Sequence, residues 1–144
     1  MHNKPTLLFK PIGIIHSPYR KLEGIPHQPI AARGVKGSIE LDNTLLEGFA
    51  GLGKFSHIFL LYHLHESKGY SLSVIPHSGT SWRGLFATRT PRRPNPIGLS
   101  LVRLEKIEHN IISIKDVDIL DGTPLLDIKP YIPEIDQPAR VSGE

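Results

Sequence analysis

The sequence contains no cysteine, which removes disulfides, thiolate zinc sites and cysteine nucleophiles together. It also lacks an apolar run of membrane-spanning length, and Met1 to Lys10 holds no hydrophobic stretch ending in a small-residue cleavage site. A soluble, cytoplasmic protein is the expectation. There is no Gly-x-Gly-x-x-Gly unit, so a Rossmann cofactor site is not expected. Gly48-Phe-Ala-Gly-Leu-Gly53 has neither a preceding strand nor a following Lys-Ser/Thr, and reads as the end of a helix rather than a phosphate loop.

Acidic residues are missing altogether between Ser67 and Leu104, where Lys68, Arg83, Arg89, Arg92, Arg93 and Arg103 all fall. From Glu105 to Asp136 the balance reverses, with eight acids against Lys106, Lys115 and Lys129. A basic stretch followed by an acidic one suits a protein that attracts an anionic polymer with one part and a cation with another. What is present otherwise is ordinary: 144 residues, 39% hydrophobic and 22% charged, enough for one globular core.

Thirteen prolines and thirteen glycines punctuate short β-type runs. Strands are expected over Leu8–Ser17, Lys36–Asp42, Phe55–Glu66, Ser71–Ile75, Gly84–Arg89, Gly98–Glu108 and Ile111–Ile119. In the second, Val35, Gly37, Ile39 and Leu41 alternate with Lys36, Ser38 and Glu40. Phe55–Glu66 is apolar on both parities, as in a barrel wall with a partner packed outside. Thr44–Lys54 is the plausible helix, capped by Asn43 or Thr44 and ended by Gly51 or Gly53. This spacing predicts an all-β fold: a single closed or nearly closed β-barrel with one or two short helices.

The most unusual segment runs from Gly84 to Leu101. Pro91, Pro94 and Pro96 alternate with Arg92, Arg93 and Asn95 between two strands. Proline fixes φ and extends the residue before it, so this loop is stiff without a hydrogen-bonded ladder. Arginines held out from such a loop avoid part of the ordering cost of binding, about 0.5–1.5 kcal/mol per long side chain. Their forks match phosphate and carboxylate geometry.

Gly84-Leu-Phe-Ala-Thr-Arg89 followed by Arg93-Pro-Asn-Pro-Ile-Gly-Leu-Ser100 resembles the signature of the TsaA/YaeB-like family of TrmO tRNA methyltransferases. Ile12-Gly-Ile-Ile-His-Ser-Pro-Tyr19, Phe55-Ser-His-Ile-Phe-Leu-Leu-Tyr62 and Asp121-Gly-Thr-Pro-Leu-Leu-Asp-Ile-Lys-Pro-Tyr-Ile-Pro133 resemble the same family, in the same order. The resemblance implies a β-barrel enzyme using S-adenosylmethionine, with cofactor sites near a homodimer interface. It implies methylation of N6 of threonylcarbamoyladenosine beside the anticodon of tRNA. Bacterial members usually carry a further C-terminal domain. Here a single barrel domain over 1–144 is expected, its core from about Phe9 to Asp136, without that extension.

The resemblance aligns Pro29, Ile30 and Ala31, within Pro26–Ala31, with a loop that contacts the cofactor. His65 and Glu66 follow the buried strand, where polar groups first become possible at a barrel mouth. Arg89 is positioned to pair with the methionine carboxylate, and Leu99 to offer backbone hydrogen bonds and an apolar wall. Asp118 and Asp121-Gly122-Thr123-Pro124 form an acidic turn suited to ribose hydroxyls, to the sulfonium, or to the leaving proton. Asp121 or Asp118 is the candidate base, although an Asp-Gly pair also makes simple β-turns. For RNA, Arg92, Arg93, Arg83 and Lys68 are the phosphate candidates. Tyr131, Trp82 or Phe86 offers stacking, with core packing the alternative role for each.

Two other readings follow from the residues. His57, His63, His65 and His77 invite a metal-binding, cupin-like barrel, but the sequence does not single out a carboxylate ligand at suitable spacing, buried-strand histidines are more often packed and hydrogen-bonded, and no metal is expected. A non-catalytic RNA-binding barrel shares the basic loop but has no affinity for S-adenosylmethionine.

Overall fold

The computed structural model describes residues 4–26, 32–76 and 79–139. Among the described residues eight strands form: β1 Gly13–His16, β2 Lys36–Leu41, β3 His57–His63, β4 Ser73–Val74, β5 Arg83–Gly84, β6 Ile97–Glu108, β7 Ile111–Lys115 and β8 Thr123–Pro130. Six of them close a barrel in the order β1-β2-β7-β6-β3-β8, with every neighbouring pair antiparallel. Closure removes the unpaired strand edges that an open sheet presents. The all-β barrel expected from the strand spacing is the observed fold. Among the described residues the one α-helix, α1, is the single turn Pro133–Asp136.

Alternation along the strands builds the core. Ile39 and Leu41 of β2, Ile58, Leu60 and Tyr62 of β3, Val102 of β6, Ile112 and Ile114 of β7 and Leu125 of β8 are buried inside. Val117 and Ile119, from the segment joining β7 to β8, close one end of the barrel as part of the same cluster. Gly37 makes room for this plug, because a Cβ there would meet Val117 Cγ2 at 2.8 Å. Each such fully buried aliphatic contributes about 1.5–3 kcal/mol relative to exposure. On β3 the inward residues are fully buried, whereas outward Phe59 and Leu61 are only half-buried.

Several boundaries differ from expectation. The stretch over 44–54 forms two 3-10 segments, Asn43–Phe49 and Leu52–Lys54, rather than an α-helix. Gly48, Gly51 and Gly53 dilute its helix propensity, and Gly51 adopts φ +82°. The cap is Asp42, whose carboxylate accepts the Thr44 N–H at 2.9 Å, not Asn43 or Thr44. The first strand begins only at Gly13, beyond Pro11. The strand expected from Gly84 to Arg89 turns after Gly84 into a 3-10 segment, Leu85–Ala87, closed by the Thr88 N–H and hydroxyl on Leu85 O. Thr123–Pro130 is an additional strand whose prolines disguise it in the sequence.

Candidate functional site

Strand register places the long connections together. His16 pairs with Ser38, Ile15 with Thr123, Lys36 with Lys115 and His63 with Ile97. The ends of β1, β3 and β7 and the starts of β2, β6 and β8 therefore share one rim. The connections leaving that rim are 17–35, 64–96 and 116–122, and they carry nearly all the chemistry-bearing residues singled out above. The opposite end has the two-residue turn His109–Asn110 and the 42–56 segment. A rigid barrel presenting variable loops at one end is a common way to build a site.

Asp121 sits in the turn that leads into β8. Gly122 has φ +81°, and the Thr123 N–H and hydroxyl both return to Leu120 O, the geometry that an Asp-Gly turn provides. Asp121 also ties two chain segments together. Its Oδ1 accepts the Ser17 N–H at 2.9 Å, and its carboxylate lies 3.8 Å from His16 Nδ1 and 4.0 Å from Arg20 Nε. The Asp121 N–H donates to Tyr19 O at 2.7 Å, and the Gly122 N–H to Ile15 O.

Asp118 is placed differently. It is half-buried, and its Oδ1 accepts the Ser100 hydroxyl at 2.7 Å. Ser100 Oγ in turn lies 2.8 Å from Tyr62 Oη, within the barrel interior. Burial raises the Asp118 carboxyl above the ordinary aspartate value, against the lowering effects of the Ser100 hydroxyl, its own N–H and the charge of Arg89. The Tyr62 phenol is pushed up to about 12, first by burial and then by the negative charge of Asp118, with the Ser100 hydrogen bond opposing.

Beside these residues a cleft of about 220 Å³ is lined by Arg20, Lys21, Leu22, Glu23, Glu66 and Leu120. A larger hollow of about 390 Å³, lined by Lys36, Gly37, Glu105, Lys106, Ser113 and Ile114, lies on the barrel wall and includes no predicted site residue. Two of its charged groups are engaged by neighbours, Lys106 by Glu108 at 2.6 Å and Glu105 by Lys115 at 2.8 Å. The rim, with carboxylates, guanidinium groups and a cleft together, is the better candidate.

The proline-rich loop is braced as well as stiff, but not as expected for all its arginines. Arg93 Nη1 donates to Thr88 O at 2.9 Å and Thr90 O at 3.0 Å, and its guanidinium lies 5.8 Å from the Phe86 ring centroid. Arg93 thus clasps its own loop, while Arg92 is exposed. Ser67 Oγ ties the loop to the end of the β3 connection through Pro91 O at 3.1 Å, and Leu64 N–H donates to Pro96 O at 2.8 Å.

The remaining predicted residues divide by location. His65, Glu66, Arg89, Gly122, Thr123 and Pro124 belong to the rim, with Thr123 buried. Leu99 points outward from β6 opposite Leu61 and is 50% exposed. Lys68 is exposed beyond the rim, and Arg83 belongs to the β4–β5 arm. Tyr131 stands at the far end of β3, its N–H on His57 O and its ring 5.7 Å from that of Phe59, about 20 Å from the rim at strand rise. Pro29, Ile30 and Ala31, like His77, lie outside the described residues.

Among the described residues the histidines do not form the cluster a cupin-like site requires. β3 ends at His63, so His65 leaves the strand in a tight turn and the two rings are 6.4 Å apart. His57 bonds Ser56 Oγ at 2.8 Å. Among the described residues no three His, Cys, Asp or Glu side chains gather as metal ligands.

Sequence reasoning missed Tyr62 and Ser100. The signal was there: Gly98, Ser100 and Val102 share the inward parity of β6, and a hydroxyl on that parity needs a buried partner.

The family model for the tRNA-methyltransferase O N-terminal domain matches residues 14–137. The chain belongs to the tRNA-methyltransferase O family. It is 51% identical over 130 residues to a probable S-adenosyl-L-methionine-binding protein of Pyrococcus abyssi, covering 90% of this chain and 71% of that one. It is 37% identical to the tRNA (adenine(37)-N6)-methyltransferase of Escherichia coli, covering 87% of this chain but only 57% of the relative. A crystal structure of TrmO from Pseudomonas aeruginosa superposes with a TM-score of 0.82 at 39% identity, over 96% of this chain and 62% of that one. The matched region thus spans little more than half of the bacterial enzyme's length. Among the described residues, no helix is long and apolar enough to cross a membrane.

Proposed function

We propose that this chain is an S-adenosylmethionine-dependent tRNA adenine-N6 methyltransferase that acts at position 37, the position in its relatives' names, and that the substrate is the threonylcarbamoyl form of that adenosine. The observation that supports this most is the convergence, on one barrel rim, of the motif segments that the family shares. A ligand carrying a sulfonium, an ammonium, a carboxylate and a ribose needs both charge signs close together. The rim supplies them in Asp118, Asp121, Glu66, Arg20 and Arg89. When bound, S-adenosylmethionine supplies an electrophilic methyl group, and its sulfur keeps the electron pair as that methyl leaves.

The chain's own residues have three tasks. Arg89 and Arg20 neutralise a carboxylate at the rim, while Glu66, His65 and the Asp121–Pro124 turn hold hydroxyl and amine groups. Asp118, rather than Asp121, accepts the proton that the adenosine nitrogen loses, because Asp121 is committed to Ser17, His16 and Arg20. A base that is both held and slightly reluctant to ionise is well matched to this work. In the substrate the nitrogen belongs to a urea-like group, whose N–H is more acidic than a simple amine, so a carboxylate suffices. Arg92, Lys68 and Arg83 contact phosphates, with Arg93 holding the loop that presents Arg92.

A homodimer completes the reading. Phe59 and Leu61 of β3 lie opposite Leu101 and Leu99 of β6, and Ile97 extends the same outward face. Such a contiguous apolar wall is the kind of surface a second copy covers. Leu99 then lies at the interface, beside the rim. The protein acts in the cytoplasm, where tRNA is found.

The test is incubation with methyl-labelled S-adenosylmethionine and two tRNAs, one carrying the threonylcarbamoyl group and one lacking it. Label is expected in the modified tRNA only. Label in both would remove the substrate assignment, and label in neither would remove the activity.

A further inference from the structure

We propose that Tyr62 and Ser100 are positioning residues: a two-hydroxyl relay, built inside the barrel, that holds the Asp118 carboxylate oriented toward the rim as the proton acceptor of methyl transfer. This rests on the functional reading above and assigns two residues that the motif comparison does not single out.

The relay begins with backbone placement. Tyr62 on β3 and Gly98 on β6 are directly paired, and the inward Tyr62 ring occupies the volume that a Cβ at position 98 would fill. The ring is held in that place by the missing side chain, and its hydroxyl arrives 2.8 Å from Ser100 Oγ, two residues along the same inward face. Ser100 Oγ donates to Asp118 Oδ1 at 2.7 Å. With Tyr62 donating to Ser100, the donors line up toward the carboxylate, each polarising the next. No buried side-chain nitrogen or oxygen among the described residues lacks a partner, so the chain is complete rather than half satisfied.

Such a device is not needed to close the barrel. An apolar pair at 62 and 100 would fill the interior without burying two hydroxyls and half-burying a charge. What the hydroxyls accomplish is to fix one carboxylate oxygen and leave the group as a directed base at the end that carries the site. Among the described residues, the titratable and charged groups acting on Asp118 are Tyr62 from β3 and Arg89 from the connection to β6, and Arg89 favours the ionised carboxylate. As the adenosine nitrogen forms its bond to the methyl carbon, its N–H bond breaks and the proton passes to Asp118. The methyl–sulfur bond breaks with its electron pair remaining on sulfur, so charge and atoms balance with no further reagent.

The test uses two readouts on the whole chain. The first is the carboxyl titration of Asp118 by carbon-detected NMR, without cofactor or tRNA. Ser100→Ala removes the donor to the carboxylate, so the Asp118 midpoint moves upward by about one pH unit. Tyr62→Phe, which keeps the ring and loses only the hydroxyl, moves it in the same direction by less. The second readout is the pH profile of kcat for methyl transfer. Its acid limb moves upward with the carboxyl midpoint in each variant, and above that limb the rate returns to within a few-fold of the unmodified chain.

A carboxyl midpoint that stays put in both variants overturns the relay. A midpoint that moves while the acid limb does not overturns the assignment of Asp118 as the acceptor. Failure of the functional reading looks different: the unmodified chain then transfers no methyl to either tRNA, and the base assignment falls with it, whatever the NMR shows.

Discussion

Tyr62 and Gly98 face each other across the β3–β6 ladder, and the tyrosine ring stands where any side chain at position 98 would have to be. The pair is a lock in which only glycine fits, and the hydroxyl at its end is aimed at Ser100. Gly98→Ala is therefore expected to destabilise the barrel by about 1–3 kcal/mol, the usual cost of overpacking. Thermal unfolding measures it. Tyr62→Phe should not relieve the loss, because the ring remains, whereas Tyr62→Leu combined with Gly98→Ala should recover part of it. Equal destabilisation in both double variants would mean that the strain lies elsewhere.

Asp118 and Asp121 sit three residues apart and should respond to amide substitution in opposite ways. The folded state raises the Asp118 carboxyl above its ordinary value, so its ionised form opposes folding at pH values above the unfolded midpoint. Asp118→Asn should leave the melting temperature at pH 7 unchanged or higher, while reducing kcat about a hundredfold. Asp121→Asn removes charge partners from His16 and Arg20 and weakens the bond to Ser17 N–H. It should lower stability by about 1 kcal/mol with a smaller effect on kcat. Parallel melting curves and single-turnover rates separate the two. The reverse pattern would make Asp121 the acceptor.

The strong periodic signals carried the fold, and the chemistry was legible as motifs without their wiring. β2 reads directly from Ile39 and Leu41 alternating with Ser38 and Glu40, and this is how it packs. β8 was hidden because Pro124 and Pro130 read as breakers, yet a closed barrel tolerates them where neighbouring strands still find partners. The run over 44–54 has helical length but too much glycine, and tertiary packing decided for 3-10 turns. Arg93 shows the limit at the site. Its sequence context predicts an arginine held outward, and only coordinates reveal two backbone carbonyls within its reach. Likewise Ser100 and Asp118 are eighteen residues apart, and no local pattern brings a hydroxyl on β6 to a carboxylate beyond β7.

Arg92 and Arg93 are adjacent but should fail differently. Arg92 is exposed, so Arg92→Ala should weaken tRNA binding and reduce the dependence of log K on log salt by about one phosphate contact. Arg93→Ala should instead loosen the Thr88–Pro96 loop, seen as faster amide hydrogen exchange there. Its tRNA affinity should fall with little change in salt slope. Identical salt slopes for the two variants would remove the distinction drawn from their contacts.

The outward face of β3 and β6 predicts the assembly state. Leu61→Glu places a charge among Phe59, Leu99 and Leu101 and should convert a dimer to a monomer in sedimentation equilibrium, with circular dichroism unchanged. Lys106→Glu, on the wall with the larger hollow, should leave assembly intact. A monomeric unmodified chain, or a Leu61→Glu variant still dimeric, would place the interface on another surface.

Tyr62 gives a pH prediction whose sign is fixed by its raised midpoint. The phenol ionises at about 12 in the folded chain against about 10 when unfolded. Its contribution to stability is thus fully present below pH 10 and is lost as the pH rises through 12. The unfolded chain releases this proton first, so alkali favours unfolding by up to about 1.4 kcal/mol per pH unit across that window. In a spectrophotometric titration, Tyr62→Phe should remove a phenol transition at about 12. Tyr62→Phe, measured by urea unfolding at pH 9 and again at pH 11, should lose distinctly less stability between the two than the unmodified chain. A parallel decline in both proteins would mean that the Tyr62 hydroxyl reaches water, and that it is not confined to Ser100.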